Sequence, residues 1–287
     1  MKNPLLSIIM NCSTGKVGQF KRGLNSIYYQ NFNPKDVELL FLNIGGEREL
    51  FSILKKYSGK FRIRYFYLNK STKKYSQSDN RSVGRNFLIR QAEGKYILIT
   101  DPEVVHYSQT INQTINAFSK YGDQIWYCGR VYGTASFANT KGEYTNFFTK
   151  TVQKKELDFI GKEPSPGKKI DLNYYRESKN YNYINPKKFE LFMFCSAIAK
   201  KHLKAVGGFN EQMKVWGYED IDIYNRLKEI GIKRIFDNNF ISYHLPHPIN
   251  LPLNERISWT LYNANIRSKK SNNWGEFKYD RVEEDTL

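Results

Sequence analysis

The sequence predicts an α/β fold in which a mixed, mostly parallel central sheet is flanked by helices. Three observations lead to this prediction. Short apolar runs recur along the first hundred residues, stretches with helical spacing separate them, and an acidic pair follows the fourth run. Strands that alternate with helices favour a parallel, doubly wound sheet. Ligands bind beyond the carboxyl ends of such strands, so the acidic pair stands where a ligand site is expected.

The first half of the chain is predicted from its hydrophobic pattern. Residues 5–10 form an apolar run typical of a buried strand, and within residues 17–29 Phe20, Leu24 and Ile27 recur at helical spacing. The same reasoning predicts strands at residues 37–42, 61–68 and 95–100 and helices at residues 50–57 and 82–92.

The second half contains fewer regular patterns. Residues 133–188 are polar, aromatic and rich in Lys, Gly, Asn and Pro, which predicts a long excursion that folds over the site. From residue 251 onward the chain becomes polar, and we expect a helix at residues 255–267 followed by a loose tail. Elsewhere in this half the pattern predicts helices at 110–121 and 219–230, strands at 125–131, 233–236 and 240–244, and a buried apolar segment at 189–199.

Charge and cysteine usage narrow the class of protein. The net charge of +17 attracts phosphorylated small molecules, anionic lipid or nucleic acid. The lysines are scattered in pairs rather than gathered on one arm or helix, which disfavours nucleic-acid binding. The three cysteines are far apart and lack metal-ligand spacing, which predicts reduced thiols and a cytoplasmic protein. No apolar run reaches the length of a membrane span, so at most we expect contact with a membrane surface.

The acidic pair Asp101 and Glu103 follows the strand predicted at residues 95–100. Two carboxylates one residue apart can point toward the same cation, and their hard oxygen atoms suit Mg²⁺ or Mn²⁺. His244, near the end of a predicted strand, can supply a nitrogen ligand to the same metal. Acidic residues are also common in ordinary loops, and His244 or the nearby His247 can equally be a satisfied loop residue.

A second acidic group stands where a helix is predicted to begin, in the segment Trp216-Gly217-Tyr218-Glu219-Asp220-Ile221-Asp222. Carboxylates at this position can simply cap the helix and favour its dipole. Alternatively, Glu219 or Asp220 accepts a proton from an acceptor hydroxyl, with Trp216 stacked on the acceptor ring. Asp222 points elsewhere on a helix and is the candidate structural residue. These residues alone leave the two interpretations open.

A third candidate group opens the helix predicted at residues 82–92. The forked guanidinium of Arg85 matches the geometry of phosphate oxygens. Asn86 is expected to contact the same region or to cap the helix. The alternative is an ordinary helix start with no ligand.

Taken in order, these motifs resemble the inverting family-two glycosyltransferases of the GT-A fold, a Rossmann-like architecture. Gly-Arg-Asn at residues 84–86 and the residues that follow it are similar to the stretch before the family's metal-binding Asp-x-Asp, and Asp101-Pro102-Glu103 stands in that position. Residues 206–211 and 216–227 are similar to the C-terminal module of β-1,4-galactosyltransferases and polypeptide N-acetylgalactosaminyltransferases. The resemblance extends over residues 5–247.

The resemblance implies a role for each motif. Asp220 would be the base that deprotonates the acceptor hydroxyl, Glu219 would bind the acceptor sugar, and Trp216 with Gly217 would flank donor and acceptor. The implied ligands of Mn²⁺ or Mg²⁺ are Asp101, Glu103 and His244, with Glu103 the main one. The implied nucleotide-sugar site consists of Asn11, Ser13, Asn43, Arg85, Asn86 and Asp101.

Three positions depart from the family pattern. Asn11-Cys12-Ser13 replaces the usual Pro-Thr-Tyr after the first strand. Asn43 replaces an aspartate that faces the nucleotide base; its carbonyl can still accept a hydrogen bond from a uracil N–H, without the charge. The longer side chain of Glu103, in place of a second aspartate, shifts the expected cation position.

The resemblance also implies a function and a domain division. We expect transfer of a hexose, with galactose or N-acetylgalactosamine favoured, from a UDP-sugar to a saccharide acceptor in bacterial surface polysaccharide synthesis. For a lipid-linked acceptor, the positive charge would hold the enzyme at the anionic inner face of the cell membrane. Residues 1–250 would form one GT-A domain, with a nucleotide-sugar half at 1–105 and an acceptor half at 106–250, and residues 251–287 would form a polar helix and tail.

Other functional classes account for part of the pattern. A non-catalytic subunit that binds a nucleotide sugar or saccharide would keep the fold but would not need the intact Glu219-Asp220 pair. Nucleic-acid binding is suggested only by charge. A glycosidase would need two carboxylates facing each other across a bond, which adjacent residues do not provide.

Overall fold

The structure is a computed structural model that describes residues 3–12, 17–44, 48–68, 81–134, 181–183, 193–211, 213, 219–245 and 282–287. Four residues named in the site predictions lie outside these ranges: Ser13, Trp216, Gly217 and His247. The helix predicted at 255–267 and most of the excursion at 133–188 also lie outside them. Among the helices that the structure describes, none is both long and apolar enough to cross a membrane.

The described residues contain one sheet of ten strands. The strands are β1 (Leu6–Cys12), β2 (Val37–Ile44), β3 (Arg62–Leu68), β4 (Tyr96–Thr100), β5 (Val104–His106), β6 (Ile125–Thr134), β7 (Tyr181–Tyr183), β8 (Cys195–Ala199), β9 (Lys233–His244) and β10 (Val282–Thr286). Their order across the sheet is β10-β3-β2-β1-β4-β8-β6-β9-β5, with β7 paired to β6. Strands β1, β2, β3, β4, β6 and β9 run in one direction and the others run against them. The predicted mixed sheet is confirmed.

Helices cover both faces of this sheet. They are α1 (Val17–Tyr28), α2 (Glu49–Lys55), α3 (Arg81–Gln91), α4 (Thr110–Tyr121), α5 (Lys200–Ala205) and α6 (Glu219–Glu229), and a single 3₁₀ turn spans Pro34–Asp36. One core lies between the sheet and α1, α2 and α4, and a second core lies between the sheet and α3, α5 and α6. The α/β prediction is therefore confirmed as a sheet with two covered faces.

The central strands are mostly apolar because both of their faces are covered. In β1, Leu6, Ile8 and Met10 enter one core, whereas Ile9 enters the other. Every residue of β2 is likewise buried. Full burial of one such aliphatic side chain stabilises the fold by about 1.5–3 kcal/mol. This explains why these strands appear in the sequence as continuous apolar runs rather than as alternating patterns.

The two strands predicted at residues 233–236 and 240–244 are one strand, β9. Its pairing with β6 passes from Gly129 opposite Asp237 to Arg130 opposite Ile241, so β9 carries extra residues in a bulge. A Cβ atom at Gly129 would lie 1.9 Å from the carbonyl oxygen of Phe240, which restricts this position to glycine. Polar residues in the bulge interrupt the apolar pattern, so the sequence suggested a break.

The loose tail expected after residue 251 is wrong for its last residues. Val282–Thr286 forms β10, which pairs antiparallel with β3 at one edge of the sheet. The Glu284 carboxylate accepts a hydrogen bond from Arg64 Nε at 2.7 Å. The five residues of β10 are mostly acidic, with three carboxylates between Val282 and Thr286, so the hydrophobic pattern gave no signal for this strand.

Candidate active site

The predicted site residues lie at one edge of the sheet because strands of one direction end there. Asn11 and Asn43 stand at the ends of the adjacent strands β1 and β2, where Asn11 pairs with Leu42 and Cys12 with Asn43. Asp101 directly follows β4, and His244 is the last residue of β9. This is the edge at which ligands bind in open α/β sheets.

The segment that joins β4 to β5 is a tight turn that carries Asp101 and Glu103. The Val104 amide donates to the Asp101 carbonyl oxygen at 3.1 Å. At the base of the turn, Thr100 Oγ1 and His106 Nε2 are 2.7 Å apart. His106 is fully buried, and desolvation lowers its pKa to about 4. The neutral imidazole of His106 therefore links the ends of β4 and β5 at the base of the acidic turn.

Helix α1 holds the same turn from one side. The His106 amide donates to Ser26 Oγ at 2.9 Å. One helical turn earlier, Gly23 lies so close that a Cβ atom there would be 2.7 Å from the Pro102 carbonyl oxygen and 2.9 Å from that of Val104. Only glycine allows this approach, so the position of the acidic turn depends on α1.

Glu103 and His244 are brought together by the pairing of β5 with β9. Val104 stands opposite His244, and the Leu245 amide donates to the Glu103 carbonyl oxygen at 2.8 Å. Glu103 Oε1 lies 3.9 Å from His244 Nε2, and both side chains are buried. Two of the three predicted metal ligands are therefore neighbours.

Arg85 brings the two predicted carboxylate groups together. One of its terminal nitrogens donates to Asp220 Oδ1 at 3.0 Å and the other to Asp101 Oδ1 at 3.3 Å. Its side chain is 1% exposed, and Glu219 Oε1 lies 3.7 Å away. Burial by itself lowers the pKa of Arg85, but the three carboxylates outweigh it and raise the pKa. Asp101 and Asp220 are thus both bound by the guanidinium group of Arg85.

The side chain of Asp220 is a carboxylate whose pKa lies near neutral pH. Helix α6 begins beside it, at Glu219, and its Oδ2 accepts a hydrogen bond from the Met193 amide at 3.3 Å. Burial and the negative charge of Glu219 raise its pKa to about 7, against the opposing effect of Arg85. A general base is most effective when its pKa lies near the working pH, and its side chain is still 18% exposed.

Asn86 and Asn43 are occupied by protein contacts. Asn86 Nδ2 donates to the Phe209 carbonyl oxygen and to Glu211 Oε1, each at 2.8 Å, and its Oδ1 accepts from the Phe209 amide. Asn43 Nδ2 donates to the Tyr65 hydroxyl at 3.0 Å. Both asparagines are fully buried, whereas Asn11 is half-buried. Their roles toward a nucleotide sugar remain predictions.

Asp222 belongs to a separate, structural network. Arg226 Nε donates to its Oδ2 at 3.0 Å, and Arg226 also donates to the carbonyl oxygens of Val206 and Gly208 at 2.7 Å. Burial raises the pKa of Asp222 to about 6 despite the attraction of Arg226. This network ties α6 to the turn after α5, as the sequence suggested for Asp222.

Two contacts at the site were not predicted from the sequence. Arg81, the first residue of α3, has its Nη1 3.5 Å from Asp101 Oδ2. His106 contacts Thr100 at the base of the acidic turn. The helical spacing of Arg81 and Arg85 could have suggested the first contact, whereas the second depends on the path of the turn.

The cluster around Arg85 carries more negative than positive charge. Among the described residues its charged members are Asp101, Glu103, Glu219 and Asp220 against Arg81 and Arg85. No group of three His, Cys, Asp or Glu in the described part of the chain is arranged to hold a metal ion. Mg²⁺-like cations, however, usually take one or two protein carboxylates and complete their shell with phosphate oxygens and water. Glu103 with His244 fits that requirement, and a divalent cation would offset the excess charge.

Known proteins resemble the chain in both sequence and fold. The sequence profile described as glycosyl transferase family 2 matches residues 16–207, and one described as N-terminal domain of galactosyltransferase matches residues 175–248. The crystal structure of S. aureus TarS has a TM-score of 0.55 at 16% identity and covers 84% of this chain and 36% of its own. That of TarS 1-349 in complex with UDP-GlcNAc has a TM-score of 0.50 at 16% identity, covering 85% and 56%.

A third structure extends the likeness to another donor. The mannosyltransferase PcManGT from Pyrobaculum calidifontis, in complex with GDP-Man and Mn²⁺, has a TM-score of 0.51 at 12% identity, covering 92% of this chain and 61% of its own. The chain therefore spans less than two thirds of the length of these proteins, and at these identities the likeness concerns the fold. The predicted GT-A architecture is confirmed. Because the first profile matches more than half of the sequence, the chain belongs to glycosyl transferase family 2.

Proposed function

We propose that the protein is a metal-dependent, inverting glycosyltransferase that moves a hexose from a UDP-sugar to a saccharide hydroxyl. The observation that carries this proposal is the ion-pair bridge from Asp101 through Arg85 to Asp220. It joins the carboxylate expected at the donor to the carboxylate expected at the acceptor. A structural helix cap would not require its carboxylate to share an arginine with the end of β4.

The donor side of the proposed site is formed by Glu103, His244 and Asp101. Glu103 and His244 would hold Mn²⁺ or Mg²⁺, because their facing atoms are 3.9 Å apart and both are fixed by the pairing of β5 with β9. When bound, the cation supplies Lewis-acid stabilisation for the charge that develops on the departing nucleotide. Asp101, held by Arg85, is two residues before Glu103 in the same turn and is expected near the ribose.

The acceptor side depends on Asp220. Its carboxylate accepts the proton of the acceptor hydroxyl while the hydroxyl oxygen attacks the anomeric carbon from the face opposite the leaving diphosphate. This in-line attack inverts the configuration and needs no covalent enzyme intermediate. Arg85 and the Met193 amide fix both carboxylate oxygens, so the base is oriented before the acceptor arrives. Glu219, 3.7 Å from Arg85, would bind the acceptor sugar together with Trp216 and Gly217.

The finer assignments rest on likeness and charge. The galactosyltransferase profile over residues 175–248 favours galactose or N-acetylgalactosamine as the transferred sugar. The TarS complexes contain UDP and UDP-GlcNAc and the PcManGT complex contains GDP-Man, so nucleoside diphosphate sugars are the donor class to test. The net charge of +17 would favour a lipid-linked acceptor at the anionic inner membrane face during surface polysaccharide synthesis.

A panel of nucleotide sugars tests the proposal. UDP-galactose, UDP-N-acetylgalactosamine, UDP-glucose, UDP-N-acetylglucosamine and GDP-mannose are each combined with the protein, with Mn²⁺ or with EDTA. The readouts are the thermal unfolding midpoint and released nucleotide. We expect a UDP-sugar to raise the midpoint with Mn²⁺ and to release UDP when a saccharide acceptor is added.

Matched variants make the panel specific. Glu103→Gln should abolish stabilisation by Mn²⁺ with a UDP-sugar and most Mn²⁺-dependent turnover, whereas Glu93→Gln, which removes an exposed carboxylate paired with Arg62, should leave both unchanged. Stabilisation by a UDP-sugar without release of UDP to any acceptor would favour a non-catalytic binding subunit. If no nucleotide sugar stabilises the protein, the proposal is wrong.

A further inference from the structure

Helix α3 presents two arginines to the same carboxylate. Arg81 and Arg85 are four residues apart and so lie on one face of the helix. Arg85 contacts Asp101 Oδ1 at 3.3 Å, and Arg81 approaches Asp101 Oδ2 at 3.5 Å. Asp101 is therefore shared between two guanidinium groups, which raises the question of which one a ligand would recruit.

The two arginines differ in burial and in partners. Arg85 is 1% exposed and is held by Asp220 and Glu219 in addition to Asp101. The side chain of Arg81 is 28% exposed, and among the described residues its ion-pair partner is Asp101. The distance of 3.5 Å between Arg81 Nη1 and Asp101 Oδ2 exceeds the 2.7–2.9 Å typical of a charge-assisted hydrogen bond. Arg81 is thus the more accessible and the more loosely held of the two.

We propose that Arg81, rather than Arg85, binds the diphosphate of the nucleotide donor. The inference rests on the proposed function and deepens it, since it assigns the donor's phosphates to a residue outside the predicted site. Withdrawing Arg85 would leave Asp220 and Glu219 without their shared counter-charge in a buried cluster, which is strongly unfavourable. Among the described residues, Arg81 forms an ion pair with Asp101 and with no second carboxylate. Its forked guanidinium can bind two phosphate oxygens at once.

The assignment divides the work of α3 between its two arginines. Arg81, held at 3.5 Å by Asp101, would turn toward the arriving phosphates. Arg85 stays with Asp220 and acts as a positioning residue for the base. The ligand class that follows is a nucleoside diphosphate, with weaker binding of the nucleoside that lacks phosphate.

Calorimetric titration with UDP, uridine and Mn²⁺ tests this division. In Arg81→Gln, we expect UDP affinity in the presence of Mn²⁺ to fall roughly 10- to 100-fold, the loss of a charge-assisted hydrogen-bond pair. Uridine affinity should stay unchanged. Affinity for Mn²⁺ alone should not weaken, because the variant removes a cation that competes for Asp101. Arg81→Lys keeps the charge without the fork and should show a smaller loss.

Two control variants separate the possibilities. Arg62→Gln removes one exposed arginine and its ion pair with Glu93 at the opposite edge of the sheet, and should bind UDP as the parent does. Arg85→Lys should impair transfer more than UDP binding. The inference is overturned if Arg81→Gln binds UDP like the parent, if its Mn²⁺ affinity falls in parallel, or if Arg85→Lys alone loses UDP. A parent protein that binds neither UDP, ADP nor GDP with Mn²⁺ would overturn the proposed function as well.

Discussion

Asp220 is the residue at which the charges of the site meet. Arg85 favours its carboxylate form, whereas burial and Glu219 favour its protonated form, and together they raise its pKa to about 7. Its protonation therefore changes within the physiological range, unlike that of an ordinary exposed aspartate. A base placed in this way connects the electrostatics of single residues to the rate of the proposed reaction.

The acid limb of the pH–rate profile should therefore lie near neutrality, or somewhat lower with Mn²⁺ bound, because a nearby cation favours the carboxylate form. Transfer falls as the pH drops through the pKa of Asp220, because the protonated carboxyl cannot accept a proton. Glu219→Gln removes the negative charge that raises this pKa, so the limb should move to lower pH. The measurement is kcat/KM against pH with saturating Mn²⁺. Glu229→Gln, exposed at the end of the same helix, is the control, and a limb that moves upward in Glu219→Gln contradicts the assignment.

Asp222 has a different role, although it lies only two residues further along the chain. Its pKa is raised to about 6, so between the unfolded value near 4 and pH 6 the folded protein binds the extra proton. Stability contributed by this group therefore decreases as the pH rises through that window. The ion pair between Asp222 and Arg226 nevertheless stabilises the fold, because the Arg226 side chain is only 3% exposed and its charge is almost shielded from solvent.

Asp222→Ala should lower the free energy of unfolding by about 3–5 kcal/mol, the usual effect of leaving a buried charge without its partner. Urea denaturation measures this change. Glu229→Ala, which removes an exposed carboxylate from the same helix, should stay within about 0.5 kcal/mol of the parent. Equal midpoints for the two variants would show that Arg226 is compensated by the carbonyl oxygens of Val206 and Gly208 alone.

At the scale of elements, the acidic turn between β4 and β5 is positioned by α1. Gly23 and Ser26 lie against its backbone, and His106 closes its base. The geometry of the proposed cation site would therefore depend on a helix that contributes none of its proposed ligands. This arrangement explains why a short turn can hold Asp101 and Glu103 in fixed positions.

Gly23→Ala tests that dependence. The added methyl group would lie 2.7 Å from the Pro102 carbonyl oxygen, and this backbone atom has to move. We expect a loss of about 1–3 kcal/mol in stability and a Mn²⁺ requirement shifted to higher concentration, measured as the Mn²⁺ dependence of turnover. Lys21→Ala, a surface change on the same helix, should alter neither. Unchanged Mn²⁺ dependence in Gly23→Ala would mean that the turn does not bind the cation.

The sequence predicted the regular elements better than the exceptions. Strands β1, β2 and β4 are mostly apolar runs covered on both faces, and β3 alternates as a strand does, so their pattern is strong. β5 and β10 are short or acidic, and β9 has a bulge at which polar residues interrupt its pattern. Their positions follow from pairing partners far away in the chain, which local periodicity cannot supply.

The site was predictable to a similar degree. The strand pattern predicted that Asp101 follows β4, as it does in the structure, and family resemblance selected Asp220; their roles toward a ligand stay predictions. The bridge between them was beyond sequence reasoning, because Arg85 and Asp220 are separated by 135 residues. For the same reason, the sequence suggested a phosphate for Arg85, whose charge the protein's own carboxylates engage.

At the scale of the whole molecule, one continuous sheet joins the two predicted halves. The predicted boundary at residue 105 lies inside β5, and β8 of the second half pairs with β4 of the first. The end of the chain returns to the opposite edge as β10. Asp101 and Asp220, the carboxylates proposed for the donor and acceptor sides, are therefore positioned by one sheet. The distance between them is set by the sheet and by Arg85.

The most direct test is Asp220→Asn, measured for both UDP binding and sugar transfer. Asparagine keeps an oxygen that can accept from Arg85 but cannot take up a proton, so it removes the base and spares the bridge. We expect UDP affinity with Mn²⁺ close to that of the parent and transfer reduced by about 10²- to 10⁴-fold, with Asp36→Asn, a half-buried carboxylate in the 3₁₀ turn before β2, as the control. Transfer at the parent rate in Asp220→Asn would contradict the account.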